Sequence, residues 1–155
     1  MNGRRAAWLA MGLGLGVGCG EGAVTPQLEL AAAQSRWHAA GITNYDFDLQ
    51  VACFCVATTF GSVTISVRNG QPTGIVSTDS GTVVDTLYFK GYLTVDRLFA
   101  TLDQILGAKP AAFTADYDPG LGFPTEVSID GNARVPDDEL GLRILALRPF
   151  VTPVR

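Results

Sequence analysis

The stretch NYDFDLQVACFCV, residues 44–56, decides the fold class because apolar and polar side chains alternate along it. Its apolar positions lie two residues apart and are Tyr45, Phe47, Leu49, Val51, Cys53 and Cys55. A period of two is typical of a strand that buries one face and exposes the other. The stretch therefore predicts a half-buried strand with both cysteines on the core face and Phe54 on the opposite face.

Two helical segments can cover that strand. Residues 26–40 follow a capping Thr25, with Pro26 at the first helical position, and end before Gly41, and Trp37 lies on their apolar stripe. Residues 95–107 follow a capping Thr94 and carry a longer apolar stripe. Both segments predict helices that pack on the sheet.

Further strands are predicted on both sides of the second helix. Asn69-Gly70 indicates a hairpin turn, and Pro72 suits the start of the returning strand. The predicted strands are 62–68, 73–77, 112–117, 126–130 and 140–147, with 83–88 as a further candidate. The prediction is an α+β domain with two helices on one face of a mainly antiparallel sheet of about five to seven strands.

The N-terminus predicts export. MNGRR is basic, AAWLAMGLGLGVG is apolar and uncharged, and Cys19 follows, so residues 1–18 are predicted to be a signal peptide. Residues 16–19, GVGC, resemble the lipobox of bacterial lipoproteins, which implies diacylation of Cys19, although Gly16 stands where Leu is usual. Cleavage near Ala23 is the alternative. The predicted organisation is a tether at 19–26, one domain at 27–148 and a tail at 149–155.

The charge of the chain excludes some classes of partner. Loss of the leader removes Arg4 and Arg5, so the net charge moves from −4 to −6. An acidic chain without a basic cluster argues against binding of nucleic acid and of anionic lipid headgroups. No cofactor is predicted, because the GLGLGVG run lacks the spacing of a nucleotide loop.

The cysteine pair leaves four interpretations open. Two residues on one face of a strand have Cα atoms about 6.6 Å apart, near the upper limit for a disulfide. Cys53 and Cys55 are therefore candidates for a local structural disulfide, for apolar packing as thiols, for a redox-active pair or for half of a metal site. The metal interpretation is the weakest, because one histidine, His38, and two cysteines do not make a zinc pattern.

Acidic residues near the C-terminus form a second candidate site. Asp116, Asp118, Asp130 and the run at 137–139 lie at predicted strand ends, so they are expected to converge at one edge. Carboxylates suit a hard cation, which makes Asp116, Asp118 and Asp130 weak metal candidates. The alternative is that these residues form turns or a solvated surface.

A group of motifs resembles a known family. The leader, Trp37, NYDF at 44–47, CFC at 53–55, TVDRLF at 94–99, DYDPGLGFPTEVSID at 116–130 and DDE at 137–139 together resemble the bacterial lipoprotein family catalogued as domain of unknown function 6174. The resemblance covers roughly residues 34–147. It implies export and one fold, and it assigns no catalytic residue.

The sequence favours a non-catalytic function. We expect an extracytoplasmic domain, anchored to the envelope by a lipid on Cys19, with an outer membrane favoured where one exists. Its partner is expected to be an envelope protein or a small ligand, which meets either the face around Phe54 or the loop with Asp118 and Phe123. The rival interpretations are a thiol–disulfide protein that uses Cys53 and Cys55, and a purely structural envelope protein.

Overall fold

Residues 45–53 form a central strand of a six-stranded antiparallel sheet in the computed structural model, which describes residues 25–150. The elements are α1 (Pro26–Ala40), β1 (Tyr45–Cys53), a first 3-10 helix (Val56–Phe60), β2 (Ser62–Arg68), β3 (Gln71–Ser77), a second 3-10 helix (Thr86–Tyr92), α2 (Val95–Gly107), β4 (Ala112–Tyr117), β5 (Pro124–Asp130) and β6 (Glu139–Pro149). The strand order is β3-β2-β1-β6-β5-β4. The predicted α+β class is confirmed, but the predicted two helices leave out the 3-10 helices.

The predicted signal peptide, Cys19 and the end of the tail lie outside the described residues. Within residues 25–150, no helix is long and apolar enough to cross a membrane. β6 runs through Pro149, two residues beyond the predicted strand. The Phe150 amide then donates a 2.8 Å hydrogen bond to the Asn44 carbonyl.

The apolar core lies between the helices and one face of the sheet. Trp37 of α1 meets Tyr45 of β1 edge-on, with ring centroids 5.3 Å apart. The Tyr45 hydroxyl accepts a 2.9 Å hydrogen bond from the buried backbone N–H of Val95, the first residue of α2. Both α-helices therefore pack on the face of the sheet that carries Tyr45. Burial of this apolar face is the main stabilising contribution to the fold.

The helix ends follow the sequence signals. Thr94 is buried, and its hydroxyl accepts a 3.0 Å hydrogen bond from the Arg97 N–H. Thr25 caps α1 in the same way, and Gly41 ends that helix with φ of 62°. A left-handed φ of this kind is easy for glycine, which has no Cβ.

The structure corrects two predicted strands. β1 ends at Cys53, where its ladder with β6 ends at the Cys53–Leu140 pair, and the chain then bends into the first 3-10 helix. Cys55 is therefore exposed, and the prediction that it lies on the core face is wrong. The candidate strand at 83–88 is also wrong, because Val83 makes a single bridge to Val76 and a 3-10 helix begins at Thr86.

Candidate functional site

The Cys53–Cys55 pair closes the bend that ends β1. The two cysteines are bonded in the structure, and their Cα atoms are 5.2 Å apart, closer than the extended strand assumed from the sequence. Cys53 is partly buried against the core, whereas Cys55 is exposed. This Cα separation lies within the range of a disulfide, and the local structural disulfide stays a prediction.

The bend presents an apolar surface, which we call the Phe54 turn and define as residues 53–56. The Phe54 side chain is 86% exposed and that of Val56 is 51% exposed. With Thr59, the four residues of the turn line an open recess of about 460 Å³. Phe54 and Val56 are thus two large exposed apolar side chains on one short turn, and contiguous exposed apolar patches are typical of interaction sites.

A shallow trough on the outer face of the sheet begins beside the Phe54 turn. Ala52, Gly141 and Ser128 are register partners across β1, β6 and β5, and they line two adjoining recesses of about 270 and 390 Å³. Gly141 is closely packed, since a Cβ there would lie 3.3 Å from the Ala52 Cβ. The small side chains leave room on this face next to the exposed Phe54 ring.

Elsewhere on the outer face, ion pairs hold the acidic residues of β1. Asp48 accepts two 2.7 Å hydrogen bonds from Arg148 and a third of 2.7 Å from the Thr64 hydroxyl. The bonds from Arg148 are the main reason that the pKa of Asp48 lies below its usual value. Asp46 pairs with Arg68 at 2.9 Å. These carboxylates are therefore engaged in cross-strand pairs.

The loop with Asp118 and Phe123 does not form the exposed surface that the sequence suggested. Phe123 is only 8% exposed and belongs to the core, which corrects its prediction as a binding residue. The Asp118 carboxylate accepts bonds of 3.0 and 2.6 Å from the N–H groups of Gly120 and Leu121. A Cβ on Gly122, whose φ is 84°, would collide with the Ala33 carbonyl oxygen. The loop is built to pack on α1.

The C-terminal acidic residues fall into two groups at opposite ends of the β4–β5 hairpin. Asp130 pairs with Ala112 at one end of the β4–β5 ladder, and Asp116 pairs with Glu126 near the other end. Asp130 also pairs with Glu139 of β6, at the end of the run 137–139. The expectation of one acidic edge is therefore wrong for Asp116 and Asp118, because β4 and β5 are antiparallel and their C-terminal ends lie at opposite ends of the ladder. Among the residues that the structure describes, no group of three His, Cys, Asp or Glu side chains could hold a metal ion. His38 instead lies 3.1 Å from Asp96 and links α1 to α2.

A groove between α1 and β4 was not predicted from the sequence. This α1–β4 groove has a volume of about 560 Å³ and is lined by Leu28, Glu29, Ala32, Arg36, Ala115, Asp116, Tyr117 and Pro119. The Tyr117 hydroxyl oxygen is buried and has no hydrogen-bond partner among residues 25–150. Burial, with a smaller contribution from the charge of Glu29, raises the pKa of Tyr117 to about 12. The sequence signal was the spacing of Glu29 and Arg36, which puts both on one exposed helix face.

Comparison with known proteins identifies the family. The model for a family of unknown function (DUF6174) matches residues 29–149, which is most of the chain and nearly all of the described domain. No curated protein matches the chain, and no solved structure matches it. The matched range runs from α1 through β6 and includes the Phe54 turn. The chain belongs to the family of unknown function DUF6174.

Proposed function

We propose that this protein is an exported, lipid-anchored envelope domain that binds a partner protein through the Phe54 turn. The observation that carries the proposal is the 86% exposure of the Phe54 side chain on a bend closed by two cysteines. A bend closed in this way presents its aromatic ring with little conformational freedom. Less entropy is therefore lost when a partner binds.

The chemistry of the turn suits an apolar segment of another protein. Phe54 and Val56 are exposed, the recess beside them is mainly apolar, and the trough of Ala52, Gly141 and Ser128 continues from it. Aromatic side chains are frequent among the residues that dominate binding energy at interfaces. The expected occupant is a segment that places an aliphatic or aromatic side chain against the Phe54 ring.

The position of the turn fits a chain anchored at Cys19. The α1–β4 groove joins the start of α1 to the end of β4 at Tyr117. Phe113 of β4 lies level with Cys53 of β1, because register partners connect them through β5 and β6. Tyr117 is four residues after Phe113, so it lies about 13 Å from that level along the strand direction. The Phe54 turn and the start of α1 therefore lie toward opposite ends of the sheet. A lipid ahead of α1 would leave the turn facing away from the membrane.

Site-specific photo-crosslinking tests the proposal in the full chain. A photoreactive residue at position 54 is expected to give one adduct of constant mass in the envelope, and Val56→Asp is expected to abolish it. The matched control is position 145, because Leu145 is also exposed, at 51%, but lies on the outer face of β6. Absence of an adduct at position 54, or the same adducts at positions 54 and 145, would reject the Phe54 turn as a binding surface.

The exposure of Cys55 favours thiol–disulfide exchange as a second candidate function. A thiolate of a substrate dithiol would attack the Cys55 sulfur, and the electron pair of the broken bond would leave on the Cys53 sulfur. In the mixed disulfide, the first substrate sulfur is bonded to Cys55. The second substrate thiolate would then attack that substrate sulfur and release the Cys55 thiolate. The substrate would become a disulfide, and the cysteine pair would take up its two electrons.

Thiol alkylation in glutathione buffers of known potential separates the two functions. A redox-active pair is expected to be half alkylated near the glutathione poise, about −180 to −210 mV in oxidising compartments. A pair that opens only below about −300 mV would reject exchange and would leave the binding proposal unaffected. Intact mass of the same sample would report the lipid on Cys19.

A further inference from the structure

The β4 edge of the sheet is open to pairing. β4 has a strand neighbour only at β5 within the described chain. The Ala111 N–H bonds to the Gly131 carbonyl at 3.3 Å, and partners alternate along an antiparallel ladder. The backbone groups of Ala112, Thr114 and Asp116 therefore point away from β5. Residues 112–117 contain no proline or lysine, which often protect edge strands, whereas β3 at the other edge contains Pro72 and is bridged by Val83.

Helix α1 forms a wall beside this edge. Leu28, Glu29, Ala32 and Arg36 face the α1–β4 groove from the helix, and Leu28 is 62% exposed. The buried Tyr117 hydroxyl lies on the strand side of the groove and has no hydrogen-bond partner in the described part of the chain. A strand that pairs with β4 would therefore also contact the exposed face of α1.

The charged residues on the exposed face of α1 are complementary to the same residues of a second copy. Glu29 and Arg36 are seven residues apart on one face of α1, and neither takes part in an ion pair of the described residues. Ala32 lies between them. If a second α1 lies antiparallel to the first, each Glu29 faces an Arg36, and the small Ala32 side chains allow the helices to approach.

We propose that β4 and α1 form a symmetric dimer interface, in which a second copy of this chain adds its β4 antiparallel to the first. A two-fold axis perpendicular to the sheet makes both β4 and α1 antiparallel to their copies, as an isologous contact requires. The occupant of the α1–β4 groove is therefore the same groove of another molecule.

The sequence of β4 suits this pairing. With the axis beside Ala115, Thr114 lies opposite Asp116 of the second copy, and both residues have backbone groups that point to the free edge. On the helix-covered face, Phe113 lies opposite Tyr117 of the second copy. Aromatic cross-strand pairs and a hydroxyl–carboxylate pair are favourable in sheets, and no like charges lie opposite each other in this register.

A second copy fits better than an extended peptide of another protein. A peptide would use the free backbone groups of β4, but it would not supply opposite charges for both Glu29 and Arg36 by symmetry. The proposal goes beyond the binding function of the Phe54 turn and does not depend on it. The two surfaces are separated by β6 and β5.

A charge swap tests the dimer in the full purified chain. Light scattering after size-exclusion chromatography is expected to show a dimer for the wild type. Arg36→Glu and Glu29→Arg are each expected to raise the dissociation constant about tenfold, because each creates two like-charge contacts. The double variant with both changes is expected to restore the constant to within about threefold. Arg97→Glu, an exposed charge reversal on α2, is the matched control.

The strand contact is tested separately at Thr114. Thr114→Pro removes an N–H that points away from β5, so the monomer should keep its circular dichroism spectrum but lose the dimer. Thr114→Val keeps the N–H and should still dimerise. A wild type that is monomeric at every concentration tested would overturn the proposal. A dimer that survives Thr114→Pro and both single charge reversals would do the same.

Discussion

Tyr45 links three parts of the core through one side chain. Its ring packs against Trp37 and Phe47, at centroid distances of 5.3 and 5.8 Å, and its hydroxyl accepts the first N–H of α2. The first N–H groups of a helix have no partner within the helix. Tyr45 thus serves both as an apolar core residue and as part of the cap of α2.

Tyr45→Phe should therefore destabilise the fold although it removes a single oxygen. The buried Val95 N–H would lose its acceptor, at a cost of about 1–3 kcal/mol in the free energy of unfolding. Urea denaturation would measure the loss. Tyr88→Phe is the control, because Tyr88 is 42% exposed. Equal effects of the two changes would contradict the assigned capping role.

Asp48 should make the free energy of unfolding depend on pH in the acidic range. The pKa of Asp48 is lowered in the folded state, chiefly by the bonds from Arg148, from an ordinary value of 3.8. A lowered pKa stabilises the fold above pH 3.8, and this contribution is lost as the pH falls through the folded value. We expect Asp48→Asn to be less stable than wild type at neutral pH and to converge with it as the pH falls through the lowered pKa of Asp48 in the folded state. The exposed Asp103→Asn is the control, and denaturation between pH 2 and 7 would measure both.

Both α-helices are capped by a threonine, but one threonine is buried and the other is exposed. Thr94 is buried and bonds the Arg97 N–H at 3.0 Å, whereas Thr25 is exposed and bonds the Leu28 N–H at 3.4 Å. An exposed N-terminus can use water in place of a cap, and a buried one cannot.

The two caps should therefore differ in energy. Thr94→Ala is expected to lower the free energy of unfolding by about 2 kcal/mol and Thr25→Ala by about 0.5 kcal/mol. Paired urea titrations of the two variants would measure the difference. A larger loss for Thr25→Ala would contradict the role of burial.

The bend after β1 should contribute little to global stability. The Cys53–Cys55 bond has a sequence separation of 2 and closes a very short loop. Loop-closure entropy then predicts a loss of only about 1.6 kcal/mol when both cysteines are replaced by serine. Thermal unfolding with and without reductant would measure it. A loss above about 3 kcal/mol would show that the pair supports the whole fold rather than the Phe54 turn.

The whole molecule has two exposed features toward different ends of the sheet. The Phe54 turn lies at the end where β1 finishes, and the start of α1 lies beside the end of β4. This separation allows an anchor ahead of α1 and a binding surface at the turn to work without interference.

Replacement of the proposed lipid site should release the protein without unfolding it. Cys19→Ala is expected to move the chain from the membrane pellet to the soluble fraction of a cell-envelope preparation, because two acyl chains are needed for stable anchoring. The control replaces Cys53 and Cys55 by serine and should stay in the pellet. A Cys19→Ala protein that remains in the pellet would contradict the proposed lipid anchor.

The sequence by itself determined the elements and the fold class. Side-chain periodicity, the Asn69-Gly70 turn and the two threonine caps are local signals, so strands β2, β4 and β5 and both α-helices were predicted within about two residues of their observed ends. Phe54 was also predicted to lie away from the core, and its side chain is exposed, although β1 ends one residue before it.

Only the tertiary structure decided which of these residues meet. It ended β1 at Cys53, where the ladder with β6 stops at Leu140, and it turned Cys55 toward solvent. It buried Phe123 under α1, separated Asp116 from Asp130, and joined α1 to the free edge of β4. These results depend on contacts between residues far apart in the chain, which the local pattern of a sequence does not contain.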